Sequence, residues 1–256
     1  MRVCVLASGS AANAVLVESC STRVLVDAGL SAQATRRWLA RFGIVPARLD
    51  AVLLTHEHHD HARGAASVAR TMGTVVLANR RTLRACPDLG ARHERFTNLQ
   101  PFRIGDLVVE AIPVSHDAAD PVAFVIEGEG RRMVIATDLG KVDEAFVERA
   151  VGADMVLLEA NYDLRLLAVS PYPPAVKRRL LGPRGHLSND AAARLCVQLH
   201  TGRPQRVVLV HLSEVTNLAP LARDVVAAAL LREGIDRVAV EIVRPNTGGA
   251  WWQVGE

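Results

Sequence analysis

Several things this chain lacks narrow its class. Its 256 residues hold four cysteines, Cys4, Cys20, Cys86 and Cys196, and no two form a Cys-x-x-Cys pair. That scatter excludes a dithiol motif, and Cys4 and Cys196, inside apolar runs, read as small buried hydrophobes of a protein kept in a reducing cytoplasm. No apolar stretch reaches the roughly 18 residues of a membrane span, so no membrane partner is expected. The first apolar run breaks at Ser8-Gly9-Ser10 and a strand pattern follows, which is not the pattern of a secretory leader. Low-complexity linkers and short repeats are missing, and residues 1–256 are expected to form a single α/β domain. Charge of one sign is scarce as well: 30 Lys and Arg against 27 Asp and Glu leave a formal +3, too little by itself to demand a nucleic-acid partner. Half of the residues are hydrophobic, enough for a large core.

What is present is concentrated in Thr55-His56-Glu57-His58-His59-Asp60-His61, directly after the apolar run Ala51–Leu54. Three imidazoles and a carboxylate in the order His-x-His-x-Asp-His, at the end of a buried strand, are donors that suit Zn, Mn or Fe, all able to activate water. Left without a cation, so many polar groups beside a core would be costly. Further donors recur in the same position. His116 follows the run 108–115, Asp138 follows 133–137, and His211 follows 207–210. Strands ending at one sheet edge would bring these separated groups together.

The hydrophobic pattern predicts strands at 2–7, 14–19, 22–27, 51–55, 74–78, 106–113, 122–127, 131–136, 154–158, 206–211 and 237–243. Helices are expected at 32–42 behind a Ser31 cap, and at 62–72, 143–150, 174–181, 189–200 and 218–232. Asp60 would then lie at the positive end of a helix, which favours its ionised form.

His56-x-His58-x-Asp60-His61 with His116, Asp138 and His211 resembles the metallo-β-lactamase fold superfamily of dinuclear metallohydrolases. Segments along nearly the whole chain are similar to its YycJ/WalJ-type subgroup: Leu6–Asn13, Val26-Asp27-Ala28-Gly29-Leu30, Ser115-His116-Asp117, Glu159-Ala160-Asn161, Tyr172-Pro173, Lys177-Arg178-Arg179, Gly185-His186-Leu187-Ser188-Asn189 and His211-Leu212-Ser213. The resemblance implies a four-layer αββα sandwich, two divalent metal ions and a nuclease, a 5′-to-3′ DNA exonuclease linked to repair. Ala12 stands where the family commonly has glycine, so a left-handed backbone there would be strained.

With that fold in view the spacing reads as chemistry. Alternate residues of an extended segment face one way, so His56 and His58 would share one metal, completed by His116. Asp60 and His61 would turn to a second, completed by His211. Asp138 is the natural bridge, and a hydroxide held between the metals would attack phosphorus, with Asp60 helping to orient it. Asp27 either holds the His loop or simply forms the turn before Gly29. His186 alone reads as an ordinary loop histidine; the resemblance makes it a phosphate contact or the general acid for the leaving 3′ oxygen. Lys177, Arg178 and Arg179 form a compact basic segment and Tyr172 offers a stacking face, which with Ser188 and Asn189 are the candidate substrate contacts. Arg80, Arg81 and Arg84 make a weaker basic patch on an exposed helix. A small-molecule ester, thioester or lactam hydrolase would share the metal ligands but has little use for Lys177-Arg178-Arg179. A metal-binding regulatory protein without turnover is the remaining alternative. Oligomeric state has no signature in the sequence.

Overall fold

A computed structural model of the chain describes residues 1–44, 48–86, 89, 92–203, 205–245, 247–249 and 251–256. In chain order the first elements are β1 (Arg2–Ala7), β2 (Ala14–Glu18), β3 (Arg23–Val26), α1 (Ala32–Arg41), β4 (Ala51–Leu53), α2 (His59–Ala62), α3 (Ala65–Met72), β5 (Val75–Ala78), α4 (Arg80–Ala85) and β6 (His93–Arg95). There follow β7 (Phe102–Ile104), β8 (Leu107–Pro113), β9 (Val122–Gly128), β10 (Arg131–Ala136), α5 (Glu144–Ala150), β11 (Met155–Glu159), α6 (Leu164–Val169) and α7 (Pro174–Leu181). The chain closes with α8 (Asn189–Leu199), β12 (Gln205–Val210), α9 (Ala219–Arg232), β13 (Val238–Ile242) and β14 (Trp251–Gln253).

The strands form two sheets, ordered β14-β1-β2-β3-β4-β5-β6 and β13-β12-β11-β10-β9-β8-β7. Each begins as antiparallel hairpins and turns parallel: β3 to β6 in one, β10 to β13 in the other. The unbroken apolar runs of β10, β11 and β12 follow from burial on both faces. Met133, Ile135, Leu157 and Val208 point into a core shared with the first sheet. Their neighbours Val134, Ala136, Leu158 and Leu209 pack beneath α5, α8 and α9. On the far side of the first sheet, α1 and α3 contribute Leu39, Val68 and Ala69. Helix, sheet, sheet, helix: the expected four-layer αββα architecture is present. No described helix is long and apolar enough to cross a membrane.

The expected helix at 62–72 starts earlier and is interrupted, as α2 and α3. At Arg63-Gly64 the helical ladder is diverted: the Gly64 amide donates to the Ala28 carbonyl (2.8 Å) and the Asp60 carbonyl accepts from Asn13 N (2.8 Å), an approach that only glycine allows, since a Cβ on Gly64 would lie 1.8 Å from the Leu30 carbonyl oxygen. The strand expected at 51–55 ends at Leu53, because the Thr55 amide turns away to a side chain.

Candidate metal centre

Parallel strands present their carboxyl ends at one edge, and the candidate ligands hang from those ends. β4 leads to His56, His58, Asp60 and His61; β10 leads to Asp138 and β12 to His211, while His116 follows the antiparallel β8. Backbone hydrogen bonds stitch the loops together. The Asp60 carbonyl accepts from Asn13 N (2.8 Å), the His61 carbonyl from Ala28 N (2.7 Å), and the Ala28 carbonyl from Gly64 N (2.8 Å). Gly29 permits this approach, since a Cβ there would meet the Asp60 carbonyl oxygen at 1.9 Å. Ala12 is not among the residues with positive φ, so its lack of a glycine costs nothing.

The seven expected donors converge. His56, His58 and His116 offer ring nitrogens that all lie within 4.8 Å of one another, and a carboxylate oxygen of Asp60 lies equally close to ring nitrogens of His61 and His211 as a second group. Asp138 lies between them: its Oδ2 is 3.2 Å from His61 Nε2 and its Oδ1 is 3.7 Å from His116 Nε2. His211 Nε2 lies 3.7 Å from Asp60 Oδ2, and His61 Nε2 lies 3.3 Å from it.

Four of the five rings are aimed by their other nitrogen. His61 Nδ1 donates to Asp27 (2.8 Å), His56 Nδ1 to Thr55 Oγ (2.9 Å), His116 Nδ1 to the Gly185 carbonyl (2.9 Å) and His211 Nδ1 to the Thr137 carbonyl (2.7 Å). This leaves the Nε2 atoms facing the common centre, the arrangement found around histidine-bound metals. Asp27 also accepts from the amide and hydroxyl of Thr55, each at 2.9 Å, so it braces the His loop and is more than a turn former. Asp27 and His211 hold positive φ, 61° and 53°, a conformation unusual for residues other than glycine.

A test of fit is available in the buried atoms that lack partners. His56 Nε2, His116 Nε2 and Asp138 Oδ2 are buried without a hydrogen bond. Lone pairs left in that state are destabilising unless something accepts them. Imidazole and carboxylate donors pointing into one space fit divalent cations.

The electrostatics divide the two groups. Burial, together with the His61 charge, pushes His56 well below its ordinary pKa, and burial lowers His116 against the pull of Asp138. Burial opposes the charged form of His211 too, but Asp138 and Asp60 outweigh it and push it up to about 9. For His61 the Asp138 and Asp27 carboxylates likewise overcome burial, raising it well above its usual value. Burial raises Asp138, yet the surrounding imidazoles hold it well below the carboxylate range. Asp60, also raised by burial, is lowered by His211 and His61.

Some functional neighbours escape sequence reading. Asn13 is buried and donates to the Gly9 carbonyl and to Asp60 Oδ2, each at 3.1 Å, and lies 3.0 Å from His61 Nε2. Ser8 Oγ accepts from His211 N (2.7 Å), fixing that ligand's backbone. Glu159, fully buried at the end of β11, accepts from His186 Nδ1 (2.9 Å), Leu187 N (3.2 Å) and Leu139 N. It is the buried carboxylate that orients His186. Burial raises its pKa against the pull of His186. It ends an apolar strand just as Asp138 and His211 follow theirs, so the signal was there.

A cavity of about 320 Å³ opens over the centre, lined by His58, Asp60, His116, Asp138, His186 and His211 together with Tyr172, Val176, Arg179 and Leu180. A larger groove of about 720 Å³, between α5 and α8, contains none of these ligands; the smaller one holds the chemistry. Of the candidate substrate contacts, Tyr172 and Arg179 line the cavity. Lys177 does not; its ammonium donates to the Ala168 carbonyl (2.6 Å). Arg178, next along α7, is not a lining residue either. Ser188 caps α8 by accepting from Ala191 N (3.1 Å), and Asn189 is fully buried in a mutual amide pair with Asn217 at 2.8 and 3.0 Å. Ser188 is spent on the helix cap and Asn189 on Asn217, and neither lines the cavity. His59 is exposed, and His200 ends α8.

The family model described as "Beta-lactamase superfamily domain" matches residues 22–212. The chain is 34% identical over 243 residues to exodeoxyribonuclease WalJ of Streptococcus pneumoniae, covering 91% of this chain and 90% of that one. It belongs to the metallo-β-lactamase fold superfamily. Within this superfamily it is also 34% identical over 237 residues to exodeoxyribonuclease YycJ of Bacillus anthracis, covering 90% and 89% of the two chains. The fold of the metallo-β-lactamase protein YhfI of Bacillus subtilis superposes with a TM-score of 0.73 at 20% identity, over 98% of this chain and 99% of that one. The superfamily's fold and the His/Asp clusters together support divalent metal ions as cofactors.

Proposed function

We propose that this chain is a phosphodiesterase dependent on two divalent cations, Zn, Mn or Fe, that removes nucleotides from the 5′ end of DNA. The carrying observation is the pair of donor groups, His56/His58/His116 and Asp60/His61/His211, with Asp138 between them. The printed names of the relatives, exodeoxyribonucleases aligned over nearly their whole length, supply the substrate class.

His56, His58 and His116 would hold one cation and Asp60, His61 and His211 the other, with Asp138 shared. When bound, such cations lower the pKa of water and offset negative charge growing on a phosphate. The chain's own groups do the rest. Asp60, only partly buried, would accept a hydrogen bond from the attacking water and aim it. His186, on the cavity wall, gives a proton to the departing 3′ oxygen from Nε2, while Glu159 fixes Nδ1 and with it the ring plane. Arg179 supplies positive charge at the rim for a backbone phosphate, and Tyr172 a face for a base. The cytoplasm is the proposed compartment, in keeping with four free thiols.

The test uses 5′- and 3′-end-labelled single- and double-stranded DNA, RNA, a thioester and a lactam, each with Mn²⁺, Zn²⁺ or chelator. Release of 5′ nucleotides only with metal is expected; turnover confined to the thioester or lactam would replace this reading. In the same assay His186→Ala should lose turnover while keeping its metal. Equal loss of both would remove the acid role.

A further inference from the structure

The two oxygens of Asp60 stand in different surroundings. Every contact of its carboxylate falls on Oδ2: His61 Nε2 at 3.3 Å, His211 Nε2 at 3.7 Å and Asn13 Nδ2 at 3.1 Å. Oδ1 makes no hydrogen bond among the described residues and is not a buried atom, so it is the oxygen that Asp60 shows to the cavity it lines. A carboxylate left to itself turns about its last bond between two equivalent settings. Asn13, buried in the loop between β1 and β2, removes that freedom. Its own amide is held at both ends by one residue: Oδ1 accepts from Gly9 N and Nδ2 donates to the Gly9 carbonyl, each at 3.1 Å. Gly9 turns both groups toward Asn13 with a φ of 107°, which residues with a side chain avoid. The amide nitrogen has one further hydrogen to give. It lies 3.0 Å from His61 Nε2 and 3.1 Å from Asp60 Oδ2; with the imidazole lone pair given to a cation, that hydrogen belongs to the carboxylate. Asn13 N also donates to the Asp60 carbonyl at 2.8 Å, so one residue grips the main chain and the side chain of Asp60.

We propose that Asn13 is a positioning residue for the hydrolysis: it pins Asp60 Oδ2 toward His61 and His211 and so leaves Oδ1 to aim the attacking water. This rests on the phosphodiesterase reading above and names what sets the rotation of its water-aiming carboxylate. A nucleophile displaced by about 1 Å loses on the order of 100-fold in rate, so one hydrogen bond behind Asp60 governs the chemical step without touching substrate.

The experiment compares the full-length wild type with Asn13→Ala, and with Asn13→Ser should the first variant not fold. Circular dichroism checks the fold, and calorimetric titration of chelator-stripped protein with Mn²⁺ follows metal binding. Turnover is measured at saturating Mn²⁺ on single-stranded DNA and on bis(p-nitrophenyl) phosphate, whose leaving group needs no acid. Both metal-binding steps should persist, with any weakening confined to one of them. On both substrates kcat should fall on the order of 100-fold while KM changes little. Recovery of the wild-type kcat at saturating Mn²⁺ would overturn the proposal, leaving Asn13 a role in metal retention only. A loss seen on DNA and absent on the nitrophenyl ester would also overturn it, because attack by water is common to both. Disappearance of both binding steps would make the residue a structural brace and overturn it too. In each of these cases an active wild type keeps the phosphodiesterase reading; a wild type inert on both phosphodiesters sinks the two together.

Discussion

The two donor groups use similar side chains and live in opposite fields. His56, His58 and His116 sit among other imidazoles, and both His56 and His116 are pushed below the ordinary histidine pKa. His61 and His211 face Asp27, Asp60 and Asp138 and are pushed above it. At His116 the Asp117 and Asp138 carboxylates, 3.3 and 3.7 Å away, do not overcome burial, whereas at His61 and His211 the carboxylates win and the rings hold protons that a cation must displace. Burial is nearly complete for His56, His61, His116 and His211 alike; what sets His61 and His211 apart is direct hydrogen bonding to the Asp27 and Asp60 carboxylates on top of the Asp138 charge.

That contrast can be broken most severely at the residue both groups share. Asp138→Ala should lower turnover on the order of 1,000-fold, as expected when a charge-stabilising centre is dismantled, and should lower metal content at both groups. A variant that keeps both metals and most of its rate would show that the carboxylate is not shared. A smaller effect is expected from Asp27→Asn, which weakens the anchor of His61 and leaves His56 held by Thr55. Loss of an outer partner of a ligand typically costs 10–100-fold in metal affinity. Titration should show that loss at one of two binding steps only; equal weakening of both steps would merge the groups.

The gentlest probe is pH. His211, about 9 in the folded chain against roughly 6.5 unfolded, binds its proton more tightly when folded. In protein stripped of metal by chelation its contribution to stability is therefore full below pH 6.5 and is lost as pH rises through 9. His61 acts with the same sign. Cations compete with these protons, so affinity at the Asp60/His61/His211 group should climb between pH 6.5 and 9, whereas His56 and His116, both pushed down, hold no protons there for a cation to displace. Calorimetry in buffers of different ionisation heat would check it: proton release confined to one step is expected, and equal release at both would contradict the contrast.

The convergence of the donors is legible because each follows a strand whose apolar run is plain in the sequence. β8, β10 and β12 and the His-x-His-x-Asp-His cluster carry their own period and punctuation. β6, β7 and β14 were not legible, since three residues show no period and β14 pairs with β1 from the opposite end of the chain. α6 was missed for a similar reason, being one short turn-and-a-half behind an Asp163 cap. Asn13, Ser8 and Thr55 are single polar residues whose worth depends on loops that meet only in three dimensions. Ser188 and Asn189 show the converse. Their family motif suggests substrate, and the geometry spends one on capping a helix and the other on an amide pair with Asn217.

The unusual backbone at His211 bears on how that ligand can be replaced. Asparagine tolerates the left-handed region better than alanine or valine does, so His211→Asn is the exchange that removes an imidazole and leaves the main chain, with its Ser8 contact, in place. Alanine at the same position would disturb two things at once, the cation's coordination and the course of the loop behind it. Any experiment meant to isolate the ring should begin with the amide.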